Sequence, residues 1–137
     1  MRRAPVCRVP VARHFTELIV WQLGDELRVQ VFKLTKRPLV HADLKLRSQL
    51  DDAIDSVCRN IAEGFGCEDR EFARFLCIAR RSMNEVQDCF LSALHKGYVT
   101  PEDLIPARQL QRRLYPALAS LIRTLDRGKR ARPAKPR

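Results

Sequence analysis

The sequence predicts an all-α protein, an antiparallel up-down-up-down four-helix bundle. Three observations carry this. Four segments place apolar residues at alternating spacings of four and three, which lines one face of a helix. The connections between them are short, as antiparallel neighbours in a bundle require. No segment reads as a credible strand.

The first helix spans residues 17–36. Thr16 stands at its N-cap position, and Phe15 and Val20 are spaced for a hydrophobic staple. Val20, Leu27, Val31 and Leu34 form the stripe, with Gly24 filling the remaining position. A glycine in mid-helix costs about 1 kcal/mol, so Gly24 points to a close helix–helix contact. Trp21 and Phe32 fall off the stripe and read as exposed. Pro38 ends the helix, and residues 37–43 form the longest connection. The second helix spans 44–63, with Asp43 as its cap and Leu46, Leu50, Ala53, Val57 and Ile61 as its stripe.

The third helix spans 69–96. Phe72, Leu76, Ala79, Met83, Val86 and Phe90 form the main stripe, and Phe75, Ile78, Cys89 and Ala93 form a second row. A face this wide needs neighbours on more than one side. Glu68, Asp69 and Glu71 crowd its start, where the helix dipole favours them. The fourth helix opens on YVTPEDL. Thr100 is the N-cap, Pro101 takes the first helical position, Asp103 stands three after the cap, and Val99 can staple to Leu104. Its stripe runs through Ala107, Leu114, Leu118, Leu121 and Leu125, and Pro116 predicts a kink near 112–116.

Between the second and third helices the chain reads NIAEGFG, residues 60–66. Two glycines beside a helix start raise the question of a phosphate cradle, but Glu68, Asp69 and Glu71 would repel an anion there. The turn reads instead as structural. Gly64 is placed as the left-handed residue that ends the helix, Phe65 as an apolar anchor and Gly66 as the reversal. Asn60 and Glu63 are expected to hydrogen-bond around the turn, with Arg74 as a further partner.

The 137 residues fit one domain, and 45% hydrophobic with 31% charged residues is an ordinary globular composition. No apolar run approaches the ~20 residues that span a bilayer, so no membrane partner is expected. The N-terminal stretch MRRAPVCRVPVARHF is interrupted by Arg8, Pro10 and Arg13, unlike a secretory signal. The expected location is the cytoplasm. The five cysteines, Cys7, Cys58, Cys67, Cys77 and Cys89, contain no CxxC and make neither a disulfide framework nor a zinc site.

The formal charge is +10, from 26 Lys and Arg against 16 Asp and Glu. Four of the cations precede residue 14 and six follow residue 126, which leaves the body neutral. Residues 1–14 thus read as a basic arm, 15–126 as the bundle and 127–137 as a disordered basic tail carrying Arg127, Lys129, Arg130, Arg132, Lys135 and Arg137. Such a tail attracts polyanions through counterion release, or it serves only to solubilise.

No residues assemble into a catalytic, metal or cofactor motif. His14, His41 and His95 form no HxxxH or ExxH pair, and there is neither a GxSxG elbow nor a GxxxxGK[ST] loop. Asp51, Asp52 and Asp55 read as a solvated helix face. The polar residues of interest are arginines. Arg59, Arg70, Arg74, Arg80 and Arg81 surround the turn or its outgoing helix, and Arg108, Arg112 and Arg113 cluster on the fourth helix. Arg70, Arg74 and Arg81 share a side and can grip phosphates. Spacing alone favours salt bridges, Arg74 with Glu71 and Arg81 with Glu85.

Four stretches in order, FTELIVWQ (15–22), NIAEGFG, EFARFLCIARRSMNEV (71–86) and HKGYVTPEDL (95–104), resemble the four-helix-bundle proteins encoded in intervening sequences of bacterial large-subunit ribosomal RNA genes. The resemblance covers about residues 15–126. It implies a homopentameric ring of antiparallel bundles without enzymatic activity. It also implies kinship in fold with the accessory variability determinant proteins of diversity-generating retroelements, basic pentamers that bind a reverse transcriptase and nucleic acid. The chain departs from the family pattern at Asp51 and Asp52, where basic residues are usual, at Arg81, where a small residue is usual, and at Cys67, where a basic residue is usual. These departures shift the expected polyanion contact toward the tails.

Two functions follow as expectations. One is a non-enzymatic RNA- or DNA-binding homo-oligomer, as an accessory subunit of a retroelement reverse transcriptase or as a ribosomal-RNA intervening-sequence protein. The other is an oligomeric protein-interaction scaffold, supported by the wide apolar face of the third helix and by Trp21 and Phe32.

Overall fold

Local hydrogen bonds and prolines decide where each helix begins. The computed structural model describes residues 11–130, with side chains through residue 127. A one-turn 3-10 helix, Phe15–Glu17, comes first, and the His14 ring accepts from Thr16 N at 3.4 Å as its cap. α1 then runs Ile19–Thr35, with Leu18 at its cap position and no side-chain cap. Thr16 is therefore not the N-cap of this helix, because its hydroxyl is engaged with His14 Nδ1 at 2.7 Å in a turn that closes before α1 starts.

The 37–43 connection contains a helix that the sequence did not announce. α2, Pro38–Ala42, has proline in its first turn, where the missing N–H is no loss. α3 runs Leu44–Gly64, and Asp43 Oδ1 accepts from Leu46 N at 3.1 Å as its cap. α4 runs Asp69–His95. Thr100 and Asp103 form a reciprocal capping box: Thr100 N donates to Asp103 Oδ2 at 2.8 Å and Asp103 N donates to Thr100 Oγ1 at 3.3 Å. A 3-10 turn, Glu102–Leu104, sits inside that box and feeds α5, Ile105–Arg130. α5 carries Pro116 in its interior and stays helical on both sides. It also continues past residue 126, so residues 127–130 are helical where the sequence placed the start of a disordered tail.

The four long helices, α1, α3, α4 and α5, pack together in a closed cycle in which each touches two others. Every residue of the main stripes expected on α1, α3 and α4 is buried, each worth about 1.5–3 kcal/mol if large, whereas in the second row on α4 Cys89 and Ala93 are buried and Phe75 and Ile78 only half-buried. On α5 the buried row passes through Ile122, and Leu121 and Leu125 are half-buried. Gln111 fills the gap between Ala107 and Leu114 and is itself buried. Trp21 and Phe32 are not exposed: both lie half-buried against the core.

The NIAEGFG turn differs from expectation in three places. Gly64 is the last residue of α3, not a left-handed terminator; the positive φ angles fall at Gly66 (88°) and Gly97 (72°). Asn60 does not reach around the turn. Its Nδ2 donates back to Ser56 O at 2.7 Å and Ser56 Oγ at 3.0 Å, and Ser56 Oγ meets Ser82 Oγ at 2.8 Å across to α4. Glu63 is exposed, its carbonyl takes the Cys67 thiol at 3.5 Å, and Arg74 pairs with Glu71 instead.

Candidate nucleic-acid interface

α4 presents Arg70, Arg74 and Arg81 to solvent, as its spacing requires. Arg74 forms the expected pair with Glu71 at 3.1 Å and lies over the Phe75 ring at 5.1 Å from its centroid. Its side chain is 60% exposed, so the pair contributes little and leaves most of the guanidinium accessible. The other expected pair does not form: Arg81 has no carboxylate within 4 Å among the described residues. The same holds for Arg70, Arg108, Arg112 and Arg113.

These arginines do not make one row. Arg70 and Arg74 flank a groove shared by α4 and α5 that ends at Ile122 and Asp126. Arg113 lines a different groove, against Asp25, Glu26 and Val29 of α1. Arg113 and Asp126 stand roughly 20 Å apart along α5. Arg112 is exposed and Arg108 half-buried. Arg127, exposed and next to Asp126, brings the basic end of α5 to the end of the bundle that holds Arg70 and Arg74. Of the remaining expected contacts, the side chains of Lys129 and Arg130 and the whole of Arg132, Lys135 and Arg137 lie outside the described residues, as do Arg2, Arg3 and Arg8.

Burial pushes the Cys58 thiol up to about 12, which keeps it protonated and unreactive. Burial also raises Cys89 and Tyr115; Tyr115 donates to Asn84 Oδ1 at 2.8 Å. The three helix 44–64 aspartates diverge. Asp51 is half-buried and raised by burial, opposed by the nearby Thr35 hydroxyl, Asp52 is exposed, and Asp55 lies 3.6 Å from Arg28. No group of three or more metal-binding side chains comes together among the described residues. No helix among them is long and apolar enough to cross a membrane.

One feature escaped the sequence. The Phe15 ring meets Trp21 edge-on at 5.4 Å between centroids, and the two wall a groove completed by Arg28, Asp55, Cys58 and Arg59. Only the turn before α1, which folds Phe15 back onto α1 and α3, brings these together. Six residues of separation between Phe15 and Trp21 do not betray it.

Four long helices packed around one core, with no strand among the described residues, define an all-α helical bundle protein. The chain belongs to the 23S rRNA-intervening sequence protein family, whose model matches residues 16–120. That match covers the three turns and most of α5, and so rests on the elements that build the core. No curated protein matches the chain.

Proposed function

We propose that this is a non-enzymatic, nucleic-acid-binding, homo-oligomeric four-helix-bundle protein of the cytoplasm. The observation that carries the reading is the C-terminal end of α5, where exposed Arg127 stands just beyond a groove that sets Arg70 and Arg74 among Glu68, Glu71 and Asp126. There α5 leads into a segment that bears Lys129, Arg130, Arg132, Lys135 and Arg137 and no acid. Arg70 has no carboxylate within 4 Å among the described residues, Arg74 is paired with Glu71 but 60% exposed, and such accessible cations can replace counterions along a phosphate backbone. The helix register supports the up-down-up-down topology: Arg28 faces Asp55, Lys96 faces Asp43, and Tyr115 faces Asn84. Family membership supports a ring, with the pentamer as the assembly and a ribosomal-RNA intervening sequence as the genetic setting. Service as an accessory subunit of a reverse transcriptase is the finer form of the same proposal.

The test is mobility retardation of single- and double-stranded RNA and DNA by the full chain in a salt series. Binding is expected to fall steeply with salt, and removal of residues 128–137 is expected to abolish most of it. Undiminished binding by the truncated chain would sink the proposal as stated.

A second reading has its own support. Exposed Val29 stands beside Pro106 and Leu110 in the groove between α1 and α5. An exposed apolar groove suits a protein partner. Capture of a protein on this face, with no retardation of nucleic acid at low salt, would favour the scaffold.

A further inference from the structure

The groove at the N-terminal corner has chemistry that the packing of the bundle does not require. Phe15 is fixed rather than trailing. Arg13 N donates to Glu17 Oε2 at 2.8 Å and Gln22 Nε2 donates to Thr16 O at 2.9 Å, which ties the turn to itself and to α1. The His14 ring backs Phe15 at 4.3 Å between centroids. Phe15 and Trp21 both remain half-exposed, although each could have been buried as Phe72 and Phe90 are. The space they wall is about 270 Å³, below the roughly 300–1,000 Å³ of pockets that hold a drug-sized ligand. An open groove of that volume has room for one planar ring.

The polar groups around it differ in how they are engaged. Arg28 is held by Asp25 at 2.7 Å and Asp55 at 3.6 Å, so its charge is answered. Arg59 is exposed and has no carboxylate within 4 Å among the described residues. Asp55 turns one oxygen toward Arg28 and keeps nearly half of its side chain exposed. The groove therefore combines aromatic faces, an unanswered cation at the rim and a carboxylate acceptor beside it.

We propose that this groove takes one unpaired base of a single-stranded nucleic acid: the base stacks on Trp21 with the Phe15 ring standing edge-on beside it, Arg59 meets its phosphate, and Asp55 accepts a hydrogen bond from an exocyclic amino group. Aromatic faces bind any base by stacking. A carboxylate prefers cytosine, whose N4 amino group donates, over uracil, which offers carbonyls there. The proposal rests on the nucleic-acid reading above and adds to it a second contact, on a different side of the bundle and independent of the tail.

Trp21 is the single tryptophan of the chain, so its fluorescence reports on this groove alone. The full chain is titrated at low salt with short oligocytidylate and oligouridylate, followed by both Trp21 emission and gel mobility. Saturable quenching is expected, tighter for oligocytidylate. Phe15→Leu keeps the apolar volume and is expected to weaken quenching-detected binding about tenfold. Arg59→Ser is expected to weaken it too and to lower the salt slope by about 1. Asp55→Asn is expected to erase the preference for cytosine. Oligonucleotides that retard the full chain without changing Trp21 emission would overturn the groove and leave the tail reading standing. Absence of binding by either readout would overturn both. Should Phe15→Leu lose helix content, the exposed Arg59→Ser substitution decides: wild-type affinity and slope in that variant would overturn the groove.

Discussion

At Gly64 a methyl group would press into two phenylalanine side chains, 2.8 Å from Phe72 Cδ2 and Phe75 Cβ. Phe75 Cβ is anchored to the α4 backbone and cannot swing away. Gly64→Ala is therefore expected to destabilise by about 1–2 kcal/mol, an overpacking cost partly offset by better helix propensity. Gly66 has open space where its Cβ would be, but its φ of 88° strains any residue with a side chain. Gly66→Ala is expected to cost about 1–2 kcal/mol for this different reason. Gly24 contrasts with both: a Cβ there meets Cys58 Sγ at 3.4 Å and Val57 at 3.7 Å, ordinary contact. Gly24→Ala is expected to stabilise by up to about 1 kcal/mol. Urea unfolding of the three variants checks all of this, and a stable Gly64→Ala would show that α4 can retreat.

At the scale of the element, α5 shows how far a repeating pattern can be trusted. Its stripe is legible at Leu104, Ala107, Leu114 and Leu118, all buried, because their spacing keeps one face through three turns and more. Beyond Pro116, Leu121 and Ile122 are adjacent, both apolar, and the pattern cannot say which one faces inward; the structure buries Ile122 more fully. Gln111 was invisible for the opposite reason. A glutamine reads as a surface residue, yet its place between Ala107 and Leu114 puts it in the core with Nε2 lacking a partner among the described residues. An unpaired buried amide costs about 1–3 kcal/mol. Gln111→Leu is expected to raise stability by that order, read as a higher thermal midpoint. A lower midpoint would mean that the amide has a partner worth more than the added burial.

For the whole molecule, two ion pairs close one end of the bundle. Lys96 Nζ lies 2.8 Å from Asp43 Oδ2, which also accepts from Tyr98 Oη at 3.1 Å, and Arg37 lies 2.7 Å from Asp103. They tie the connections at this end to the cap of α3 and to the 3-10 turn that precedes α5. Lys96, with the Leu46 N–H second, holds the Asp43 carboxyl below its ordinary range; the Thr100 N–H, with Arg37 second, does the same for Asp103. A carboxyl depressed in the folded state stabilises above its unfolded pKa, and the contribution is lost as pH falls through the folded value. Lys96 is raised by Asp43, so its contribution is full below the ordinary lysine range and is lost as pH rises above it. Stability is expected to decline on both the acid and the alkaline side. Asp43→Asn keeps a capping side chain but removes the charge. Its unfolding midpoint is expected to vary less with pH at both limits, and an unchanged profile would place the titration elsewhere.

The sequence by itself determined the four long helices, their main faces and the family, because amphipathic period, caps and glycine turns are local and repeat along the chain. It also placed the charge excess at the two ends. Tertiary structure alone decided which arginines stand together, that Arg81 has no acidic partner among the described residues, that Trp21 is half-buried, and that Phe15, Arg59 and Asp55 share a groove. Those facts depend on the rotation and register of one helix against another. Helix packing fixes these through side-chain contacts between residues far apart in sequence, and a periodic stripe carries no record of its partner.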